Sequence, residues 1–348
     1  MTPPELGPVV LDVIGTTLSE NDVNLLQNPW VGGVILFSRN YTNVVQLCAL
    51  TAEIRKVAPN VVIAVDHEGG RVQRFSGEFT PIPAMQQLGN LYIKSPAEAL
   101  ALAHETGWLL AAEVIACGLD LSFTPVLDVD DCRSQIIGTR SFGPDPAIVI
   151  ALAEALIDGL HEAGMSATGK HFPGHGGVIE DSHLELPVDN RSFDEVARHD
   201  LQPFKALLPK LEAIMPAHIH FPQIAPEPVG FSSFWLQQVL REDLGFNGII
   251  FSDDLTMEGA VSAGDYGERT LKALAAGCDS VLICNNPGGA QEALTRLDAA
   301  FDSVLPSRLE CMRAKQCFEW DSLRGSARAK GVRAQLESLV ARSAVVCR

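Results

Sequence analysis

The segment KHFPGHGGVIEDSH, from Lys170 to His183, combines a lysine, three histidines and an acidic pair with four glycine or proline residues. Asp181 and His183 are two residues apart, so in an extended segment both side chains point to the same side and the carboxylate can hydrogen-bond the imidazole. A histidine with an ordinary pKa of about 6.5 can protonate a leaving oxygen and later activate water near neutral pH. We therefore predict an Asp181–His183 acid/base dyad on a loop that its glycines allow to move. A solvated turn with incidental histidines is the alternative interpretation.

A second group of polar residues follows apolar segments of the chain. Arg74 and Arg140 offer rigid forks of hydrogen-bond donors and Lys170 a point charge, while Asp66 can accept hydrogen bonds from a pair of hydroxyls. This combination is typical of a sugar-binding site. Asp253 ends an apolar segment in which a carboxylate has no packing role, and it suits a nucleophile facing an oxocarbenium-like transition state. These residues together predict a glycosidase.

Such side chains need a scaffold that brings distant segments together. Eight nearly continuous apolar runs predict strands buried on both faces. They cover residues 9–15, 31–37, 61–66, 121–129, 165–172, 212–221, 247–254 and 278–286. Helical segments alternate with them, and three helix starts are indicated by Ser95-Pro96-Ala97-Glu98, Asp145-Pro146 and Ser192-Phe193-Asp194-Glu195.

This alternation predicts an α/β protein, a single-domain (β/α)8 TIM-type barrel over residues 1–304. The remainder, residues 305–348, is predicted to be a helical extension packed on the barrel. In such barrels the site lies at the carboxyl ends of the strands, where the polar residues above fall. A doubly wound sheet is the alternative, although no G-x-G-x-x-G follows the first strand.

Composition excludes several classes of partner. The chain has 348 residues, of which 43 are acidic and 26 basic, and its formal net charge of -17 disfavours nucleic acid and anionic membrane surfaces. No uninterrupted apolar run approaches the roughly 20 residues that span a bilayer. The eight cysteines lack C-x-x-C spacing, so we expect free thiols in a reducing cytoplasm.

Four motifs, in this order, resemble glycoside hydrolase family 3, and within it the bacterial NagZ-type β-N-acetylhexosaminidases. They are VDHEGGRVQRF, IGTRSFG, KHFPGHG followed by DSH, and FSDDLTM. The resemblance covers about residues 9–290. It implies a retaining two-step mechanism with Asp253 as the nucleophile and His183, held by Asp181, as the acid/base.

The same resemblance implies that five residues bind a terminal N-acetylglucosamine: Asp66, Arg74, Arg140, Lys170 and His171. Arg133 lies close to Arg140 in the sequence and is the alternative sugar ligand. The implied substrate is a glycan, a muropeptide fragment released in cell-wall recycling, and the implied enzyme needs no metal or cofactor. We expect it to act as a cytoplasmic monomer, without a nucleic-acid or membrane partner.

Two other functions remain open on the residue types. A metal-dependent amidohydrolase would use the ligand types present at His218, His220, Lys170, His171 and Asp253, although the order of these residues along the chain does not match that pattern. Activity that survives EDTA would exclude it. A non-catalytic sugar-binding barrel would keep Asp66 and the arginines but would not need Asp253 or the dyad, so turnover of a chromogenic glycoside would exclude it.

Overall fold

The computed structural model describes residues 6–130, 134, 136–178, 186–300 and 308–346. Its strands are β1 (Val9–Asp12), β2 (Val31–Leu36), β3 (Val62–Val65), β4 (His67–Gly69), β5 (Val72–Gln73), β6 (Leu121–Ser122), β7 (Thr168–Phe172), β8 (Ala213–Pro216), β9 (Ile249–Asp254) and β10 (Ser280–Ile283). Each of the eight predicted apolar runs contains one strand of a single parallel sheet, in the order β6-β3-β2-β1-β10-β9-β8-β7. The antiparallel hairpin β4–β5, which was not predicted, directly follows β3.

The sheet closes on itself. Val126, just beyond β6, forms a parallel bridge with Lys170 of β7. Around this bridge the Leu127 amide donates to the Lys170 carbonyl at 2.6 Å, and the Thr168 amide donates to the Thr124 carbonyl at 2.8 Å. These bonds join the two ends of the strand order, so the prediction of a (β/α)8 barrel is confirmed and an open doubly wound sheet is excluded.

Burial explains why the strands are continuous in apolar residues. All residues of β2, β3, β7, β8 and β10 are buried, because helices cover the outer face of the sheet and side chains fill the barrel interior. The predicted run 121–129 was longer than β6. Beyond Ser122 the chain still borders β7, because the carbonyls of Thr124 and Pro125 accept from the amides of Thr168 and Lys170, but Pro125 has no N–H to donate to the ladder.

Helices surround the barrel. They are α1 (Glu20–Leu26), α2 (Val44–Val57), α3 (Met85–Lys94), α4 (Pro96–Ala116), α5 (Pro146–Glu162), α6 (Phe193–Arg198), α7 (Gln202–Leu207), α8 (Tyr266–Ala276), α9 (Pro287–Ala299), α10 (Trp320–Gly325) and α11 (Ala327–Val346), with a π-helix at Phe234–Asp243.

Two of the three predicted helix starts have the expected caps. The Asp145 side chain accepts from the Ala147 amide at 2.9 Å, and Glu195 accepts from the Ser192 amide at 2.8 Å. The capping box at Ser95 is wrong, since its side chain makes no cap hydrogen bond. Ser95 also ends α3, where its amide donates to the Leu91 carbonyl at 2.8 Å, so the junction of two helices fixes its backbone.

Helix α4 is long and apolar enough to cross a membrane by length and composition alone. However, 72% of the qualifying stretch is buried inside the protein. A core helix of a barrel passes the same test, and α4 packs against α5 and α11. Its apolar character is therefore explained by packing.

The described part of the tail, residues 308–346, contacts the outer helices of the barrel. The Trp320 ring lies 5.0 Å from the Phe79 ring, and Arg324 forms an ion pair with Glu113 at 3.1 Å. Leu336 of α11 is fully buried. The predicted domain boundary at 304/305 falls outside the described residues.

Candidate active site

A cavity of about 460 Å³ opens at the carboxyl ends of the strands. Its wall comes from the carboxyl-terminal parts of β2, β7, β8, β9 and β10, from the residues that follow β2, β3, β7 and β10, and from the helical turn Gly138–Arg140. The residues relevant to chemistry that line it are Phe37, Asp66, Glu68, Arg74, Arg140, Lys170, His171, His175, Asp253, Asp254 and Asn285. Six of the predicted site residues are thus brought together from four separate parts of the chain.

One wall of the cavity is a network of ion pairs. The Lys170 ammonium lies 2.9 Å from Asp66 Oδ1 and 2.6 Å from Glu68 Oε1. Arg140 binds both oxygens of Glu68, each at 2.8 Å, and Arg74 reaches Asp66 Oδ2 at 3.3 Å. The three cations and two carboxylates leave one net positive charge, which suits a polar ligand rich in acceptors.

The network holds its members in their charged forms. Burial on its own raises the pKa of Glu68, but the positive charges of Arg140 and Lys170 outweigh it, and the pKa lies well below its ordinary value. The pKa of Asp66 is lowered in the same way, with Lys170 as the main opposing charge. Burial would lower the pKa of Lys170, yet the two carboxylates raise it. All three groups are therefore ionised at neutral pH.

A buried carboxylate orients the histidine of the second wall. Asp128 is completely buried, and its Oδ2 lies 2.7 Å from His171 Nδ1, while its Oδ1 accepts from the amides of His171 at 3.2 Å and of His175 at 2.7 Å. Burial raises the pKa of Asp128, but the two histidines outweigh this and lower it. The Nδ1–H of His171 donates to Asp128, so this bond fixes the orientation of the ring. The other ring nitrogen, Nε2, then faces Arg140 Nη2 at 3.5 Å.

The two neighbouring aspartates at the end of β9 have different environments. Asp254 Oδ1 accepts from the amides of Thr256 at 2.9 Å and Cys284 at 3.1 Å, and its Oδ2 accepts from the Thr256 hydroxyl at 2.8 Å. Burial raises the pKa of Asp254 to about 6. Its carboxylate is thus committed to the turn after β9. Asp253 accepts from the Asp254 amide at 2.8 Å through Oδ1 and lines the cavity.

The predicted dyad, Asp181 and His183, and the alternative sugar ligand Arg133 lie outside the described residues. The chain on either side of residues 179–185 is tied to the barrel. Before the segment, a Cβ on Gly176 would come within 1.8 Å of the Val129 carbonyl, so only glycine fits there. After it, the Asp189 amide donates to the His220 carbonyl and the His220 amide donates to the Pro187 carbonyl, each at 2.9 Å, just beyond β8.

Glu68 and Asp128 had no role among the predicted site residues, although Glu68 follows one predicted strand and Asp128 lies near the end of another. Glu68 is the only described carboxylate that bridges Arg140 and Lys170, and Asp128 is the carboxylate that orients His171. Their position directly beside strand ends was the available signal. Among the described residues there is no group of three or more His, Cys, Asp or Glu side chains arranged to hold a metal ion.

Comparison with known proteins identifies the family. The model of the glycosyl hydrolase family 3 N-terminal domain matches residues 9–306. The chain belongs to this family. This family 3 hydrolase is 53% identical over 294 residues to the beta-hexosaminidase of Methylobacillus flagellatus, with 84% of each chain covered. It is also 52% identical over 335 residues to the beta-hexosaminidase of Tolumonas auensis. That alignment covers 95% of this chain and 98% of the relative.

Solved structures agree with this relationship. NagZ from Neisseria gonorrhoeae in complex with N-trifluoroacetyl-D-glucosamine superposes with a TM-score of 0.89 at 43% identity, covering 97% of this chain and 98% of that one. A family 3 beta-N-acetylglucosaminidase from Paenibacillus sp. FPU-7 gives a TM-score of 0.81 at 30% identity over 98% of this chain and 63% of that one. The family 3 hydrolase described here is a β-N-acetylhexosaminidase, which excludes the amidohydrolase and the non-catalytic barrel.

Proposed function

We propose that this enzyme is a retaining exo-β-N-acetylglucosaminidase that removes terminal N-acetylglucosamine from muropeptide fragments, namely N-acetylglucosaminyl-1,6-anhydro-N-acetylmuramyl peptides. Its role would be peptidoglycan recycling, and its place the cytoplasm, where the buried thiols of Cys117, Cys278 and Cys284 stay reduced. The gonococcal relative was solved with an N-acylated glucosamine, which supports a sugar of this class.

The observation that carries the proposal is the ion-pair network beside Asp253. Lys170, Arg140 and Arg74 together provide more N–H donors than Asp66 and Glu68 use, and Asp66 keeps side-chain exposure of 21% towards the cavity. A pyranose ring presents hydroxyls that both donate and accept, so Asp66 accepts from a hydroxyl pair while the cations donate. The net effect is a rigid clamp for one terminal sugar.

The proposed chemistry proceeds in two steps. In the first, an Asp253 carboxylate oxygen attacks the anomeric carbon as the bond to the leaving oxygen breaks, and His183 supplies the proton that the leaving oxygen takes. In the second, His183 removes a proton from water, which attacks the anomeric carbon and releases Asp253 as a carboxylate. Asp181 orients the imidazole and stabilises its protonated form. Two inversions give retention of the β-anomer.

The distinct environment of Asp254 supports Asp253 as the nucleophile. Three hydrogen bonds fix the Asp254 carboxylate within the turn.

The test compares two chromogenic substrates. We expect hydrolysis of 4-nitrophenyl β-N-acetylglucosaminide and little or no hydrolysis of the matching β-glucoside, with the β-anomer as the first product in an NMR time course. Equal turnover of the two glycosides would contradict the assignment of the sugar. An α-anomer as the first product would contradict the two-step mechanism. Release of N-acetylglucosamine from a purified muropeptide fragment then tests the natural substrate.

A further inference from the structure

A second polar cluster lies at the exposed rim of the same cavity, where the Arg74 guanidinium of the sugar clamp is 5.6 Å from the centre of the Phe37 ring. We call it the Arg39 cluster, and it consists of Asp12, Phe37, Arg39 and Asn285. Asp12 ends β1, Phe37 and Arg39 follow β2, and Asn285 follows β10. In the strand order these three strands are contiguous and lie across the barrel from the β6–β7 seam, near which Lys170 and His171 project. Strand β9, which carries Asp253, borders β10.

The cluster is held together by directed contacts. Arg39 Nη1 donates to Asn285 Oδ1 at 2.6 Å, and Arg39 Nη2 pairs with Asp12. Asp12 Oδ1 in turn accepts from the Asn285 amide at 3.0 Å. The Arg39 guanidinium lies 4.7 Å from the centre of the Phe37 ring. Arg39 therefore joins the side chains of Asp12 and Asn285, and Asp12 also holds the backbone amide of Asn285.

The backbone of Asn285 is strained. It is the only described residue other than glycine with a positive φ, at 58°. Such conformations are unfavourable for residues other than glycine and are often found at functional sites. Here the contacts from Asp12 and Arg39 maintain the conformation and direct the Asn285 side chain, which lines the cavity.

The bond to Arg39 also settles the orientation of the Asn285 amide. A guanidinium has donors only, so it must face the carbonyl oxygen Oδ1. The remaining hydrogen-bonding group of Asn285 is its Nδ2, with two N–H donors. The rim beside it is open, since the Arg39 side chain is 36% exposed and Ile14 is 54% exposed.

We propose that the Arg39 cluster is the subsite for the leaving group, in which Asn285 Nδ2 donates to an oxygen acceptor on a second sugar residue. The ligand class is a glycosyl residue that presents a hydroxyl, ether or carbonyl oxygen at this position. Arg39 is a positioning residue that fixes the Asn285 amide. The inference rests on the proposed function, which assigns the terminal sugar to the clamp. The clamp residues Lys170 and Arg140 are 3% and 10% exposed, so they lie deeper in the cavity than Arg39, which is 36% exposed.

The experiment measures preference for the leaving group. We compare kcat/KM for the β-1,4-linked disaccharide N,N′-diacetylchitobiose with kcat/KM for 4-nitrophenyl β-N-acetylglucosaminide, whose leaving group has no hydroxyl or amide. The variant is Asn285→Gly, because glycine accepts a φ of 58° without strain. Loss of one hydrogen bond should lower the ratio of disaccharide to aryl glycoside about three- to tenfold.

Asn60→Gly is the matched control. Asn60 is an exposed turn residue before β3, at the opposite end of the barrel, and its variant should keep the wild-type ratio. Asn285→Asp keeps the shape but replaces the donor with an acceptor, so it should lower the ratio at least as much. Arg39→Lys keeps the charge beside Asp12 but loses the fork, and it should lower the ratio in the same direction.

The outcomes separate the two proposals. A ratio that is unchanged in both Asn285 variants would overturn the subsite, as would an equal loss for both substrates, which indicates a structural role. A wild-type ratio in Arg39→Lys alongside a reduced ratio in Asn285→Gly would overturn the positioning role of Arg39. If the wild-type enzyme hydrolysed neither substrate, the proposed function would fail, and the subsite with it.

Discussion

Replacement of Glu68 by glutamine tests whether an enclosed carboxylate organises the sugar clamp. The Glu68 side chain is 3% exposed and receives three charge-assisted hydrogen bonds, two from Arg140 at 2.8 Å and one from Lys170 at 2.6 Å. Glutamine keeps the shape, but its NH2 group must face one of the two cations, both of which are donors. One cation therefore loses its acceptor and its compensating charge.

Removing one partner of a buried ion pair costs about 3–5 kcal/mol. Lys170 retains Asp66 at 2.9 Å, so we expect the lower part of this range, about 3 kcal/mol in the free energy of unfolding at pH 7. Arg140 would no longer be held by two parallel bonds, and kcat/KM should fall roughly 10- to 100-fold. Urea denaturation and steady-state kinetics on 4-nitrophenyl β-N-acetylglucosaminide measure the two effects.

The pH dependence gives a sharper check. The folded-state pKa of Glu68 is lowered from the ordinary value of 4.5, so its contribution to stability is fully present above pH 4.5. That contribution is lost as the pH falls below 4.5 towards the folded-state pKa. The difference in unfolding free energy between wild type and Glu68→Gln should therefore be constant above pH 5 or so and shrink in more acidic buffer.

The exposed Glu242 supplies the control for this experiment. Glu242→Gln makes the same chemical change on the surface and should alter the unfolding free energy by less than about 0.5 kcal/mol. The reasoning would be refuted if Glu68→Gln matched this control in stability and kept kcat/KM within twofold of wild type. A stability difference that did not shrink in acid would show that the loss is steric rather than electrostatic.

Three further predictions concern the proposed catalytic and sugar-binding residues. A 5-fluoro glycoside should label Asp253, and recovery of the label on Asp254 would contradict the assignment. His183→Ala should slow glycosylation by about 100- to 10,000-fold for a sugar leaving group and much less for nitrophenolate; a loss independent of leaving-group pKa in pre-steady-state measurements would contradict the acid/base role. Arg140→Ala should lower kcat/KM roughly 10- to 150-fold. A near-normal Arg140→Ala enzyme beside a crippled Arg133→Ala enzyme would transfer the sugar contact to Arg133.

The barrel could be predicted from the sequence because strands covered on both faces are apolar throughout. The same property made the predicted strands too long. The run predicted over residues 212–221 contains β8, which ends at Pro216, yet Ala217, Ile219 and Phe221 beyond it are fully buried. Apolar character reports burial, and it does not distinguish a strand from the buried segment that follows. The backbone hydrogen bonds that make this distinction depend on neighbouring strands far away in the sequence.

The position of the site could be predicted because strand ends of a barrel share one rim. Asp66 directly follows β3, whereas Lys170 and Asp253 lie within β7 and β9, near their carboxyl ends. The three strands are far apart in the chain, yet these residues line one cavity. The pairing among these residues could not be predicted. Whether Lys170 faces Asp66, Glu68 or both depends on the geometry of the β4–β5 hairpin. The strands of this hairpin have only three and two residues, which is too short for a hydrophobic pattern to predict them.

The carboxylates at this rim have different roles, and they also differ in how far their side chains are buried. Glu68 and Asp128 are enclosed, with side-chain exposures of 3% and 0%, whereas Asp66 keeps 21%. Glu68 and Asp128 already accept hydrogen bonds from protein groups through both oxygens, so they act by orienting those groups. Asp128 does so twice, since one oxygen orients the His171 ring and the other accepts the His175 amide. The sugar clamp and the start of the segment that leads to His183 are therefore coupled through one buried side chain.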